Sequence, residues 1–261
     1  MGRFETTAAT YAARREPYPP EFFAAAAKAL DLKGTEALID LGTGPGLLAL
    51  GFAPYVARVV GVDPEPAMLA QAERAAAEAG IAFPLVPGRA EDVGPDLGRF
   101  DLITIGRALH WMDREAALAA FERMLAPGGR VLICGAKSSG LNPWRTDLER
   151  VYRGASSGGE AAHRRLHEHF FDGTRFARVA DVEVEHRHRI SAEALVERAL
   201  TRSTTSRAVL GERVEAFKAE LRAALAPYFG EGDGEEIIEA KARIFVAAAQ
   251  PRGVGQVSES R

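Results

Sequence analysis

The chain has 261 residues, 47% hydrophobic and 26% charged, which reads as one α/β domain with an added cap, or at most two small domains. Thirty-three Lys and Arg against 36 Asp and Glu leave a net charge of −3, so no global positive excess draws in nucleic acid or an anionic membrane. A single cysteine, Cys134, excludes an internal disulfide, and no apolar run reaches membrane-spanning length or forms a secretory leader. The expectation is a cytoplasmic protein with no membrane or nucleic-acid partner, and Cys134 reads as a small buried hydrophobe.

The first half alternates helix-like and strand-like patterns. Residues 21–32 are Ala-rich and predict a helix. Residues 37–41 form an apolar strand that runs into a Gly-rich turn, and 47–56 predict a helix. Residues 58–62 form a β-branched strand, 66–79 a helix stopped by Gly80, and 82–86 a short strand. Residues 100–105 predict a strand, 113–125 a helix, 127–129 a Pro-Gly-Gly turn and 130–134 a strand. Short apolar runs separated by helices indicate βαβ units and a parallel sheet. Beyond Gly135, polar Gly-rich stretches at 137–142 and 154–159 surround helical patterns at 143–153 and 160–170. Residues 175–190 predict a further strand and 192–228 are mainly helical, softening at 201–206; 237–247 alternate as a final strand. The organisation read from this is a 1–34 arm and helix, a 35–136 core and a 137–174 lid, then a 175–250 remainder of the core with a helical cover, and a disordered 251–261 tail.

The segment Asp40-Leu41-Gly42-Thr43-Gly44-Pro45-Gly46 carries the most information. It follows a strand and opens a helix, and its glycines let the backbone turn sharply and approach a ligand closely. Its G-x-G-x-G spacing differs from the dinucleotide G-x-G-x-x-G, because Leu47 stands where the third glycine would be. An acid directly before the loop would repel a pyrophosphate and suits a ligand with an ammonium group and no phosphate. Asp63 closes the next strand at the distance where a carboxylate accepts from ribose hydroxyls. It precedes Pro64, so a helix-cap role is equally compatible.

Asp40–Gly46 followed by Gly61-Val62-Asp63 resembles the first two motifs of the class I S-adenosylmethionine (SAM)-dependent methyltransferases. Three further segments are similar, in order, to motifs of the family, the second of them to the fourth-strand motif of its small-molecule branch, which includes trans-aconitate methyltransferase. They are Gly88-Arg89-Ala90-Glu91-Asp92, Phe100 to Thr104 with His110-Trp111, and Leu125 to Arg130. Tyr11 to Pro19 resembles that branch's N-terminal arm, with Glu16 where the arm usually has proline. The resemblance implies a Rossmann-like, doubly wound seven-stranded sheet with the last strand antiparallel, an N-terminal helical arm and an inserted helical lid. It implies SAM as cofactor, S-adenosylhomocysteine as product, and a cofactor site of Tyr11, Arg15, Asp40, Gly42, Thr43, Gly44, Gly46, Asp63, Pro64, Met68, Ala90, Glu91, Asp92 and Gly106.

A sulfonium methyl is already activated, so the protein must mainly align a nucleophile and exclude water. His110 is the candidate base, because histidine titrates near neutrality; alternatively it packs with Trp111 along the cofactor. Tyr18, Arg107, Trp111, Trp144, Arg145, Tyr152 and His167 are the candidate substrate-lining residues. His163 and His167 share a helical face, but the surrounding run is basic and no zinc spacing accompanies them, so no metal is expected. His186 and His188 alternate with Arg187 and Arg189 and read as the exposed face of a strand. The function expected is transfer of a methyl group from SAM to an O or N atom of a small metabolite, by a monomer or homodimer. A non-methylating SAM-binding protein of the same fold, pericyclase-like or binding-only, is the alternative.

Overall fold

In the computed structural model, which describes residues 16–155, 169–202, 204–229 and 232–247, the short apolar runs assemble into one seven-stranded sheet. The strands are β1 (Ala37–Leu41), β2 (Arg58–Asp63), β3 (Leu85–Pro87), β4 (Phe100–Gly106), β5 (Leu125–Ser138), β6 (Phe176–Ile190) and β7 (Gly234–Ala247). Their spatial order is β3-β2-β1-β4-β5-β7-β6. β1 is parallel to β2 and β4, β2 to β3, and β4 to β5. β7 runs antiparallel to both β5 and β6, as the resemblance implied for the last strand. The strand order reverses between β1 and β4, which opens a crevice at their carboxyl ends.

The helices are α1 (Pro20–Ala29), α2 (Leu47–Phe52), α3 (Pro66–Glu78), α4 (Arg114–Met124), α5 (Arg145–Ala155), α6 (Ala192–Ala199), α7 (Arg207–Leu210) and α8 (Val214–Phe229). Central strands are apolar on both faces because helices cover both. On one face Leu38, Leu102, Leu132 and Ala242 pack under Phe22 and Phe23 of α1 and Ala49 and Phe52 of α2. On the other, Ile39, Val60, Ile103 and Val131 pack with Phe121 of α4 and with Phe170, Phe171 and Phe176. A third core joins Trp144, Leu148 of α5, Val196 of α6, Leu210 of α7 and Phe217 and Leu221 of α8 into a helical cap. The cap grows from the carboxyl ends of β5 and β6, the edge of the sheet where the glycine loop also lies.

Some boundaries moved for physical reasons. The Pro-Gly-Gly segment expected as a turn lies inside β5, and β5 continues to Ser138 through residues expected to begin a polar loop. Its extension is held by β7, from Arg130↔Val246 to Ser138↔Ile238, a tertiary partner that local composition does not announce. The strand expected at 82–86 is Leu85–Pro87. The helix at 160–170 and the tail at 251–261 fall, apart from the last residues of the helix, outside the described residues.

The start of α4 illustrates the local chemistry. Asp113 caps the helix by accepting from Ala116 N at 2.9 Å, while its own N–H donates to Glu91 Oε1 at 2.8 Å. Asp113→Ala should cost about 1 kcal/mol and lower the thermal midpoint by roughly 2–4 °C, with Asp113→Asn retaining most of it. Equal midpoints for Asp113→Ala and the parent chain would show that the cap contributes nothing.

Candidate active site at the glycine loop

The loop after β1 reverses through glycines in the left-handed region, with φ of 68° at Gly42 and 54° at Gly44. A Cβ on Gly42 would sit 2.4 Å from Ala108 Cβ, so the loop lies directly against the end of β4. Two carboxylates organise it. Asp40 is 1% exposed on β1, where Thr43 Oγ1 donates to its Oδ2 at 2.7 Å and Thr104 Oγ1 of β4 to its Oδ1 at 2.8 Å. Burial pushes its pKa up to about 6 against the pull of those two hydroxyls. Asp63, at the end of β2, accepts from Gly44 N at 2.8 Å and from Glu65 N at 2.9 Å. Its pKa is also raised, by burial first, with the two backbone N–H groups opposing. Thr43 N donates to Val62 O at 2.9 Å, so the loop is stitched to β2 by backbone as well as by Asp63.

Around this centre Met68 is buried at the start of α3, Pro64 is exposed, and Ala90 is buried in a short 3-10 turn followed by Glu91 and exposed Asp92. Glu91 is turned toward α4, accepting from Asp113 N and from Arg89 Nη2 at 3.0 Å. Gly106 ends β4 against Leu48 and Tyr18, whose hydroxyl oxygen would lie 3.2 Å from a Cβ there. His110 and Trp111 follow in a 3-10 turn with ring centroids 4.6 Å apart; Trp111 is 46% exposed.

Arg107 proves to be a latch. It has φ 59°, unusual outside glycine. Its guanidinium donates to Glu16 O at 2.6 Å and Ala136 O at 3.2 Å and lies 5.0 Å from the Tyr18 ring centroid. It thus ties the segment entering α1 to β5. From the cap, the Tyr152 ring lies under the Arg202 guanidinium at 4.5 Å, and burial pushes its phenol up to about 12. The charges of Glu16 and Arg145 both reach it. Tyr18 and Arg107 are therefore brought together where the chain enters α1, while Tyr152 sits in the cap against Arg202 and Phe217. Trp144 is 2% exposed and packs on Phe229, 6.2 Å between centroids, inside the cap. Tyr11, Arg15, His163 and His167 lie outside the described residues.

His186 and His188 correct the reading of an exposed face. They are partly covered, His186 3.5 Å from Glu21 of α1 and His188 3.0 Å from Glu236, while Arg187 and Arg189 take the open side. Arg198 of α6 shares the buried Glu236 with His188. Thr104 was not anticipated: a lone threonine in an apolar strand looks like an ordinary β-branched core residue. Among the described residues no group of three or more His, Cys, Asp or Glu could hold a metal ion, and no helix is long and apolar enough to cross a membrane.

The sheet order, the antiparallel β7 and the loop between two carboxylates define the class I SAM-dependent methyltransferase fold. Residues 39–133, the stretch that holds the glycine loop and both acids, match the family model described as a methyltransferase domain. The chain is 32% identical over 149 residues, 57% of its length and 58% of the relative, to an uncharacterized methyltransferase of Mycobacterium bovis. It is 38% identical over 112 residues, 41% of its length and 51% of the relative, to demethylmenaquinone methyltransferase of Thermus thermophilus. The chain thus spans little more than half the length of these relatives. A SAM-dependent methyltransferase of Geobacter sulfurreducens, solved with S-adenosylhomocysteine, shares the fold with a TM-score of 0.57 and 20% identity, over 95% of this chain and 99% of that one.

Proposed function

We propose that the chain binds SAM at the carboxyl ends of β1, β2 and β4 and transfers its methyl group to an O or N atom of a small-molecule acceptor held under the cap. The observation that carries this reading is the pair of buried acids flanking a glycine loop, Asp40 before it and Asp63 bonded into it. Two carboxylates so close to the loop repel a pyrophosphate and favour a cationic ligand with ribose hydroxyls. The donor set therefore fits SAM better than a dinucleotide.

In this reading Asp63 accepts from the ribose hydroxyls with the lone pairs not used by Gly44 and Glu65. Gly42, Thr43, Gly44 and Gly46 let the backbone close on the ligand, and Asp40 sets a negative potential for the ammonium end. Met68, Ala90, Glu91 and Asp92 border the adenine, with Pro64 and Gly106 completing the walls. SAM supplies a methyl group already activated on a sulfonium. Tyr18, Trp111, Tyr152 and Arg145 line the acceptor side and exclude water, Arg107 holds the Glu16–Tyr18 segment in place, and His110 takes the acceptor's proton where one must leave. The resemblance to the Mycobacterium and Thermus methyltransferases supports the same reaction class.

Calorimetric titration with SAM, S-adenosylhomocysteine and NAD, followed by product analysis with methyl-labelled SAM and a metabolite panel, tests the reading. Binding of both adenosyl ligands but not NAD, with label in a product, is expected. Binding of NAD alone, or of none of the three, would overturn it. Binding without label transfer to any acceptor would favour the non-methylating alternative. His110→Ala should then lower turnover while leaving SAM binding unchanged, and unaltered turnover would remove His110 from proton transfer.

A further inference from the structure

We propose that the outer edge of β6 is a self-association surface, on which a second copy of this chain pairs its own β6 antiparallel about Glu185. Among the described residues β6 is the terminal strand of the sheet, and it is 15 residues long. That is a long edge, about 50 Å of backbone with one row of N–H and C=O groups facing outward.

The side chains specify what could cover it. From Ala180 onward the register with β7 is regular, so alternate residues share a face. Val182, Val184, His186 and His188 point toward the α1 side, while Asp181, Glu183, Glu185, Arg187 and Arg189 lie on the exposed face. From Asp181 to Arg189 the charge on that face changes sign once, acidic up to Glu185 and basic from Arg187; Arg178, before the bulge, is on the same face and pairs with Asp181 of its own strand. An antiparallel copy centred on Glu185 sets Asp181 opposite Arg189 and Glu183 opposite Arg187, each twice by symmetry. Only Glu185 meets its own kind. A parallel copy in register would instead set like on like throughout.

Cross-strand pairs of opposite charge stabilise a sheet and like pairs oppose it, so the pattern selects one partner and one direction. Charged edges ordinarily keep foreign strands away; segregated signs make an exception for this chain's own antiparallel copy. The existing contacts leave room for this. Glu183 bonds Lys241 at 2.9 Å and Arg187 bonds Glu235 at 2.6 Å, both on the β7 side, yet their side chains remain 60% and 61% exposed. β6 stands four strands from β1, about 19 Å from the glycine loop. The pairing therefore leaves each loop open, and the inference stands whether or not the chain transfers methyl groups.

Sedimentation velocity over a concentration series on the full chain tests it. The parent chain should show a concentration-dependent dimer. Glu183→Arg and Arg187→Glu should each weaken it by at least about tenfold, because each replaces opposite-charge pairs with like ones. An equimolar mixture of those two variants should recover a heterodimer at parent affinity, since Arg at 183 then faces Glu at 187 while the native pair remains intact across the axis. The mixture guards against a variant that merely loosens its own fold. A parent chain that stays monomeric to the highest attainable concentration, a dimer indifferent to both variants, or a mixture that fails to recover would each overturn the proposal.

Discussion

Asp63→Ala should weaken binding of SAM and S-adenosylhomocysteine roughly a hundredfold or more, by losing two charge-assisted hydrogen bonds of about 1.5–3 kcal/mol each. The carboxylate has a second task that enlarges the effect. It accepts from Gly44 N at 2.8 Å and Glu65 N at 2.9 Å, so its removal also unties the loop from the end of β2. Asp63→Asn separates the two tasks, because an amide oxygen can still accept one backbone N–H while the charge is gone. The expected order of affinities is parent, Asn, Ala, read by calorimetry. A loss of less than tenfold in a folded Asp63→Ala protein would move the ribose elsewhere.

Asp40→Asn should act in opposite directions on stability and on binding. Burial raises this carboxyl from 3.8 to about 6. The folded state therefore holds its proton more tightly than the unfolded chain. Stability from this group is full below pH 4 and falls as the pH climbs through the window up to about 6. Above it, burying the ionised form costs about 3 kcal/mol at most. Asparagine keeps the shape, with Thr43 and Thr104 still able to bond it, and removes the charge. At pH 7.5 the variant should unfold at a higher temperature than the parent, by up to several degrees, and the two should converge as the pH drops to 4. SAM affinity should fall all the same, because the negative potential at the ammonium end is lost. A variant less stable than its parent at pH 7.5 would mean that the hydroxyl bonds to the carboxylate outweigh its burial.

The two carboxylates were legible in the sequence because a glycine loop announces itself. Three glycines at alternate positions, with an acid before them and another ending the next strand, form a pattern that an ordinary surface loop does not require. The strand–helix alternation up to Cys134 was equally readable, since each parallel strand is a short apolar run bounded by turn residues. Other features could not be read this way because they depend on partners distant in the chain. β5 continues past Gly135 only because β7, more than a hundred residues later, pairs with it. Thr104 donates to Asp40 across 64 residues. Arg107 looked like a hand for a substrate and is occupied with Glu16 and Ala136, 91 and 29 residues away. Trp144 has the composition of a ligand-lining aromatic, and only the packing of α5 on α8 shows that it serves as the cap's own core.

Cys134, the chain's only cysteine, lies buried on β5. Its thiol is pushed far above the ordinary range, by burial first and then by the charge of Asp40. Only the thiolate attacks electrophiles, so this sulfur should ignore maleimides, iodoacetamide and mild oxidants while the fold holds. The natural sequence is thus already a silent background for site-directed labelling. One cysteine introduced on the cap and a fluorophore attached there would report cap movement without any native thiol having to be removed.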